Sequence, residues 1–131
     1  MSSIRQPVMK TFIAGEDLSS YQYCFVKWSG AQGVGALVVK AGANEKTAGI
    51  LMNAPASGEA AEVALPGGGG LLKLGEANLS AGDLLTSTSS STGEQCDAAD
   101  EWCGAQLMED GTSNDVKEVF VTALYSSKSD A

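Results

Sequence analysis

Apolar residues along this chain come in short, strand-length runs separated by polar, glycine-rich breaks. Residues 21–28 (YQYCFVKW) are rich in aromatic and β-branched side chains and predict a strand. Residues 36–40 and 47–52 predict two more, both short and apolar. Residues 59–65 alternate loosely toward Val63 and Leu65, as a half-buried strand does. The breaks between them (15–20, 29–35, 41–46, 53–58) are built from Gly, Asn, Pro and Ser, the residues of turns.

After Pro66 and four glycines the order recurs. Residues 71–74 and 83–86 predict strands, 87–93 (STSSSTG) a polar loop, and 94–100 one acidic helical turn. Residues 102–108 and 117–124 predict the last two strands, with the turn 109–115 between them. Landmarks repeat as well: Leu18-Ser19 with Leu79-Ser80, Gly49-Ile-Leu-Met52 with Gly104-Ala-Gln-Leu-Met108, and Glu62-Val63 with Glu118-Val119. Counted from those glycines, one insertion reconciles the two copies. Two tandem units, about 15–65 and 75–124, are too few for a solenoid and suit one shared core. The expected fold is mainly β, a compact barrel or sandwich-like body at 13–131, preceded by an extended N-terminal arm at 1–12. Pro7 blocks a regular helix in that arm. Met9 and Phe12 give it apolar anchors, and the same pattern admits an edge strand.

Composition narrows the chemistry. The chain of 131 residues has no histidine. That removes Ser-His and Cys-His nucleophile pairs and the commonest zinc ligand. Gly67-Gly-Gly-Gly70 is followed by Leu71-Leu72, not by the Lys-Ser/Thr of a phosphate loop, and reads as a joint between the units. No Asp-x-Asp-x-Asp-Gly calcium loop occurs. No catalytic residue, cofactor or metal is expected. The three cysteines, an odd number, argue against a disulfide framework. Cys96 and Cys103 would close a loop if they met, but free thiols are the expectation.

The net charge of −8 is unevenly placed: Arg5 and Lys10 stand without an acid in residues 1–12, leaving six basic against sixteen acidic residues elsewhere. A body this acidic repels phosphate backbones, so nucleic acid is not an expected partner. No apolar run reaches membrane-spanning length and the N-terminus lacks a signal-peptide pattern, so neither membrane insertion nor export is expected. Trp28 and Trp102 suit either the core or a subunit interface.

The segments TFIAGEDLS (11–19), YCFVK (23–27), AGILMNAPASGEA (48–60) and LSAGDLL (79–85) resemble a family of small tailed-bacteriophage proteins, the capsid decoration or cement proteins, long known as a domain of unknown function. The resemblance spans about 11–124. It implies a mostly β fold, assembly as a homotrimer, and binding to the major capsid protein on the outer surface of the head after synthesis in the host cytoplasm. It carries no catalytic residues. Residues 87–102 depart from it, being longer and more polar. A cement protein needs interfaces only, and a trimer on a three-fold site of the shell multiplies weak contacts into avidity. The basic arm then supplies the capsid contacts Arg5, Met9, Lys10 and Phe12. The alternative is a fibre-base or host-attachment module, with the Ser/Thr loop at 87–93 as an exposed tip.

Overall fold

The computed structural model describes residues 8–29, 36–96 and 101–126. Over them the chain is all β, with no helix and ten strands: β1 (Met9–Ala14), β2 (Phe25–Ser29), β3 (Leu37–Lys40), β4 (Gly49–Leu51), β5 (Ala60–Ala64), β6 (Gly69–Lys73), β7 (Leu84–Ser87), β8 (Gly93–Gln95), β9 (Glu101–Leu107) and β10 (Val116–Ser126). The first five close into a barrel in the order β1-β3-β2-β4-β5, and the last five form a sheet in the order β6-β10-β9-β7-β8. With β6 set against β1, β7 against β2 and so on, the two orders are the same.

The registers coincide too. Ile50 faces Ala64 and Leu51 faces Val63, as Gln106 faces Phe120 and Leu107 faces Val119. Met9 faces Ala64 as Gly69 faces Phe120. Phe25 faces Ile50 as Leu84 faces Gln106, and Val26 faces Lys40 as Leu85 faces Gln95. Closure differs in degree. In the barrel β1 runs parallel to β3 through Ile13–Leu37 and Ala14–Val38, whereas the second sheet has one parallel bridge, Leu74–Gly93, at the matching place. The turn chemistry is shared as well. The Ala56 N–H donates to its own turn's Glu59 carboxylate at 2.8 Å, and the Thr112 N–H to Asp115 at 3.0 Å.

These pairings correct the alignment read from the sequence. The Met52 N–H donates to Glu62 O (2.7 Å) and the Met108 N–H to Glu118 O (3.1 Å), so the two methionines are equivalent and no insertion is needed between them and the Glu-Val pair. The counterpart of Gly49 is Ala105, not Gly104. Gly49 is glycine because β4 and β5 approach too closely for a side chain: a Cβ there would collide with the Ala64 carbonyl oxygen and lie 2.9 Å from Val63 Cγ1.

Two apolar clusters hold the fold. One fills the barrel, with Phe12, Leu18, Val26, Val38, Leu51 and Val63 among its members. The other joins three residues of the barrel wall, Phe25, Ile50 and Ala64, to the interior of the second sheet at Leu72, Leu74, Leu85, Leu107, Val119 and Val121. The barrel wall is therefore the lid of the more open second sheet. That arrangement explains why all three residues of β4 are buried.

Several sequence expectations change. The strand begins at Met9, so 9–12 belong to the barrel rather than to a free arm. Residues 1–7, including Arg5, lie outside the described residues. Gly69 and Gly70 are the start of β6, not a joint. Of the helical turn expected at 94–100, residues 94 and 95 belong instead to β8, because Gln95 N–H and its neighbours find partners on β7 and on the Glu76 carboxylate, and 97–100 lie outside the described residues. Cys96 and Cys103 form a disulfide with a Cα–Cα distance of 6.0 Å, and only Cys24 is free. The odd count misled because two cysteines meet where β8 and β9 flank β7, a proximity that exists only in the folded sheet.

Candidate interaction surface

Only the centre of the polar segment 87–93, Ser89 and Ser90, is exposed. Ser87 and Ser91 are buried, and the loop is a tight turn in which the Ser91 N–H donates to Thr88 O at 3.0 Å. It locks the two halves together. Ser91 Oγ donates to Ala41 O (2.6 Å), the Phe25 N–H donates to Ser91 O (2.7 Å), and the Asn44 N–H donates to Ser87 O (3.0 Å). Short hydroxyl side chains suit this role because they satisfy buried backbone groups without filling space.

The surface that does stand open is the outer face of the second sheet. Strand alternation puts Val119 and Val121 inside and Val116 and Phe120 outside. Opposed residues of an antiparallel pair share a face. Phe120 therefore stands beside Gln106 and over Gly69, Glu118 beside half-buried Leu71, and Gln106 beside half-buried Leu84. Met108, the first residue after β9, continues the face. Phe120, Met108 and Val116 are 42%, 45% and 41% exposed, so three large apolar side chains remain half in water. Their grouping on one sheet face makes the patch the candidate interaction surface.

The first unit shows what such a face can do. The equivalents of Leu84, Gln106 and Phe120 are Phe25, Ile50 and Ala64, and all three are completely buried against the second sheet. The same place in the repeat is covered in one unit and uncovered in the other.

Of the residues expected to touch a capsid, Met9 and Lys10 are exposed at the start of β1, with Val8 exposed beside them. Phe12 is not available. It is buried in the barrel and meets Trp28 edge to face at 4.9 Å between ring centres. Its place on the inward side of β1 decides this, because a strand that closes a barrel must give alternate residues to the core. Trp28 itself is 39% exposed at the end of β2. The short connection 65–68 runs between the β1 start and the Phe120 face. The Leu65 N–H donates to Val8 O (2.7 Å) and the Gly67 N–H to Val121 O (3.0 Å).

The electrostatics of the body are local. Lys27 and Glu45 form an ion pair at 2.9 Å, and the Lys27 ammonium with the Gly42 N–H holds the Glu45 carboxyl below its usual range. Lys40 Nζ donates to the Tyr21 hydroxyl at 3.2 Å, which raises its own pKa. Burial pushes the Cys24 thiol up, away from the reactive thiolate. Among the described residues no group of three or more metal-ligating side chains occurs.

No protein-family model and no curated protein matches the chain. Among solved structures it is similar to the N base of the head fibre gp8.5 of bacteriophage phi29, with a TM-score of 0.68 and 16% identity over 89% of this chain and 97% of that one. At this identity the likeness is one of fold.

Proposed function

We propose that this protein is a structural component of a tailed-phage head: a decoration protein that binds the major capsid protein on the outside of the mature shell, as a homotrimer, and stabilises it. The fold likeness to a phage head-fibre base carries the reading. The uncovered apolar face at Met108, Val116 and Phe120 supports it, because a protein that works by docking keeps such a face open. Val8, Met9 and Lys10 at the β1 start, with Arg5 preceding them, form the second contact. Binding only to the assembled shell stabilises that shell by mass action, and three linked contacts raise the effect without demanding a strong single one.

Capsids lacking the protein, mixed with purified protein and sedimented, test the reading. The wild-type chain is expected to pellet with capsids and to raise their disruption temperature. Phe120→Asp with Met108→Asp places two charges where apolar contact is needed and is expected to abolish both effects. Since both side chains are already half in water, the variant should still fold. Full binding by the folded variant would remove this face from the interface. The head-fibre neighbour also favours a second reading, a base on which a fibre stands. Under it the protein pellets with capsids and leaves the disruption temperature unchanged.

A further inference from the structure

Beyond docking, we infer that the cleft where the two units meet binds an anionic saccharide, a sugar ring bearing a carboxylate or phosphate. The cleft has a volume of about 400 Å³ and is walled by Ser20 and Tyr21 from the turn before β2, Lys73 at the end of β6, Thr92 before β8, and Ser113 and Asn114 from the turn before β10. That size is in the range of small-ligand sites.

Its charge is the opposite of the protein's. Acids outnumber bases sixteen to eight in the chain, yet no carboxylate lines this cleft, and Lys73 is the one charged side chain that does. A lone ammonium among neutral donors, with no internal carboxylate to neutralise it, is set up for an external anion.

The polar groups there are also unspent. Among the described residues the only ion pair is Lys27–Glu45, so Lys73 has none. No hydrogen bond is made by the side chains of Ser20, Ser113 or Asn114, whereas Thr92 is held by Thr88 (2.8 Å) and Tyr21 by Lys40 (3.2 Å). Hydroxyl and amide groups that both donate and accept match the hydroxyls of a sugar.

The backbone fixes these groups in advance. The Lys73 N–H donates to Tyr23 O (2.7 Å), the Gly75 N–H to Gly93 O (2.7 Å), and the Asn114 N–H to Leu74 O (2.8 Å). Both units therefore hold the backbone of the walls, and the ordering left to binding is that of the side chains. Asn114 sits at φ 74°, a left-handed position that asparagine tolerates.

Amide NMR of the labelled protein tests the inference, with glucuronate, glucose-6-phosphate, neutral glucose and inorganic phosphate as separate probes. One or both sugar anions should shift the amides of Lys73, Gly75, Thr92 and Asn114 saturably at millimolar concentration. Which of the two binds more tightly identifies the acid. Glucose and inorganic phosphate should each bind at least about tenfold more weakly, a difference of about 1.4 kcal/mol. Lys73→Gln should cost a similar factor and leave capsid sedimentation unchanged, so the site and the docking reading fail separately. Asn114→Asp, at an exposed turn, supplies a second variant that should lose binding through repulsion. No shifts in tens of millimolar sugar anion, equal binding of phosphate alone, or wild-type affinity in both variants would overturn the inference.

Discussion

Replacing Ile50 by alanine tests whether the barrel wall is truly the lid of the second sheet. Ile50 is fully buried in the cluster shared by both units, and its Cδ1 reaches the region of Gly70 on β6. The change removes three carbon groups. At roughly 0.8 kcal/mol each the lost transfer term is about 2.4 kcal/mol, and a cavity that the rigid barrel cannot close adds to it. A total of about 3 kcal/mol lowers the Tm of a chain this long by roughly 10 °C. The control is Gln106→Ala, at the same place in the second unit. That side chain is exposed and makes one hydrogen bond, to Gly82 O at 3.2 Å, so its loss should cost less than about 1 kcal/mol. Urea and thermal unfolding, followed by fluorescence and circular dichroism together, read both variants. One shared transition is expected because the cluster spans both units. An Ile50→Ala cost below 1 kcal/mol, or two separate transitions in the wild type, would refute the lid.

Gly49→Ala should destabilise more than a typical glycine substitution, by roughly 2 kcal/mol or more, because the added methyl meets the Ala64 carbonyl on the neighbouring strand; chemical denaturation measures it. Cys96→Ser with Cys103→Ser should cost about 2 kcal/mol, the loop-closure value for a short loop, and reducing agent should produce the same loss in the wild type but none in the variant. Glu45→Gln should cost at most about 0.5 kcal/mol near neutral pH, since the pair with Lys27 is well exposed to solvent. Folding lowers the Glu45 pKa, so the contribution is complete above the ordinary carboxylate range and disappears as the pH falls through the lowered value; urea midpoints of both proteins should converge in acid. Cys24 should resist thiol reagents until the protein unfolds, and labelling at the global unfolding rate is the check.

The sequence by itself determined that the fold is mainly β and pointed to two similar units in tandem. Strand-length apolar runs and turn residues are local signals, and they located eight of the ten strands well enough to name the landmarks Leu18, Leu79, Met52 and Met108. Alternation also told that the two sides of a strand differ. It could not tell which side another part of the chain would cover. Ala64 and Phe120 occupy the same position in their units, and nothing in EVAL or EVFV says that the first is a wall residue under a neighbouring sheet and the second faces water. An alanine answered by a phenylalanine across the repeat was the available signal, and it needed the correct register to be read. Phe12 was misjudged for the same reason, since an apolar residue near a terminus looks alike whether it reaches outward or closes a barrel. The serines of 87–93 looked soluble, yet Ser91 is buried because a backbone carbonyl fifty residues away needs its hydroxyl. Tertiary structure alone decided these points, the Cys96–Cys103 pairing and the polar cleft, because each depends on groups that become neighbours only when the barrel packs onto the second sheet.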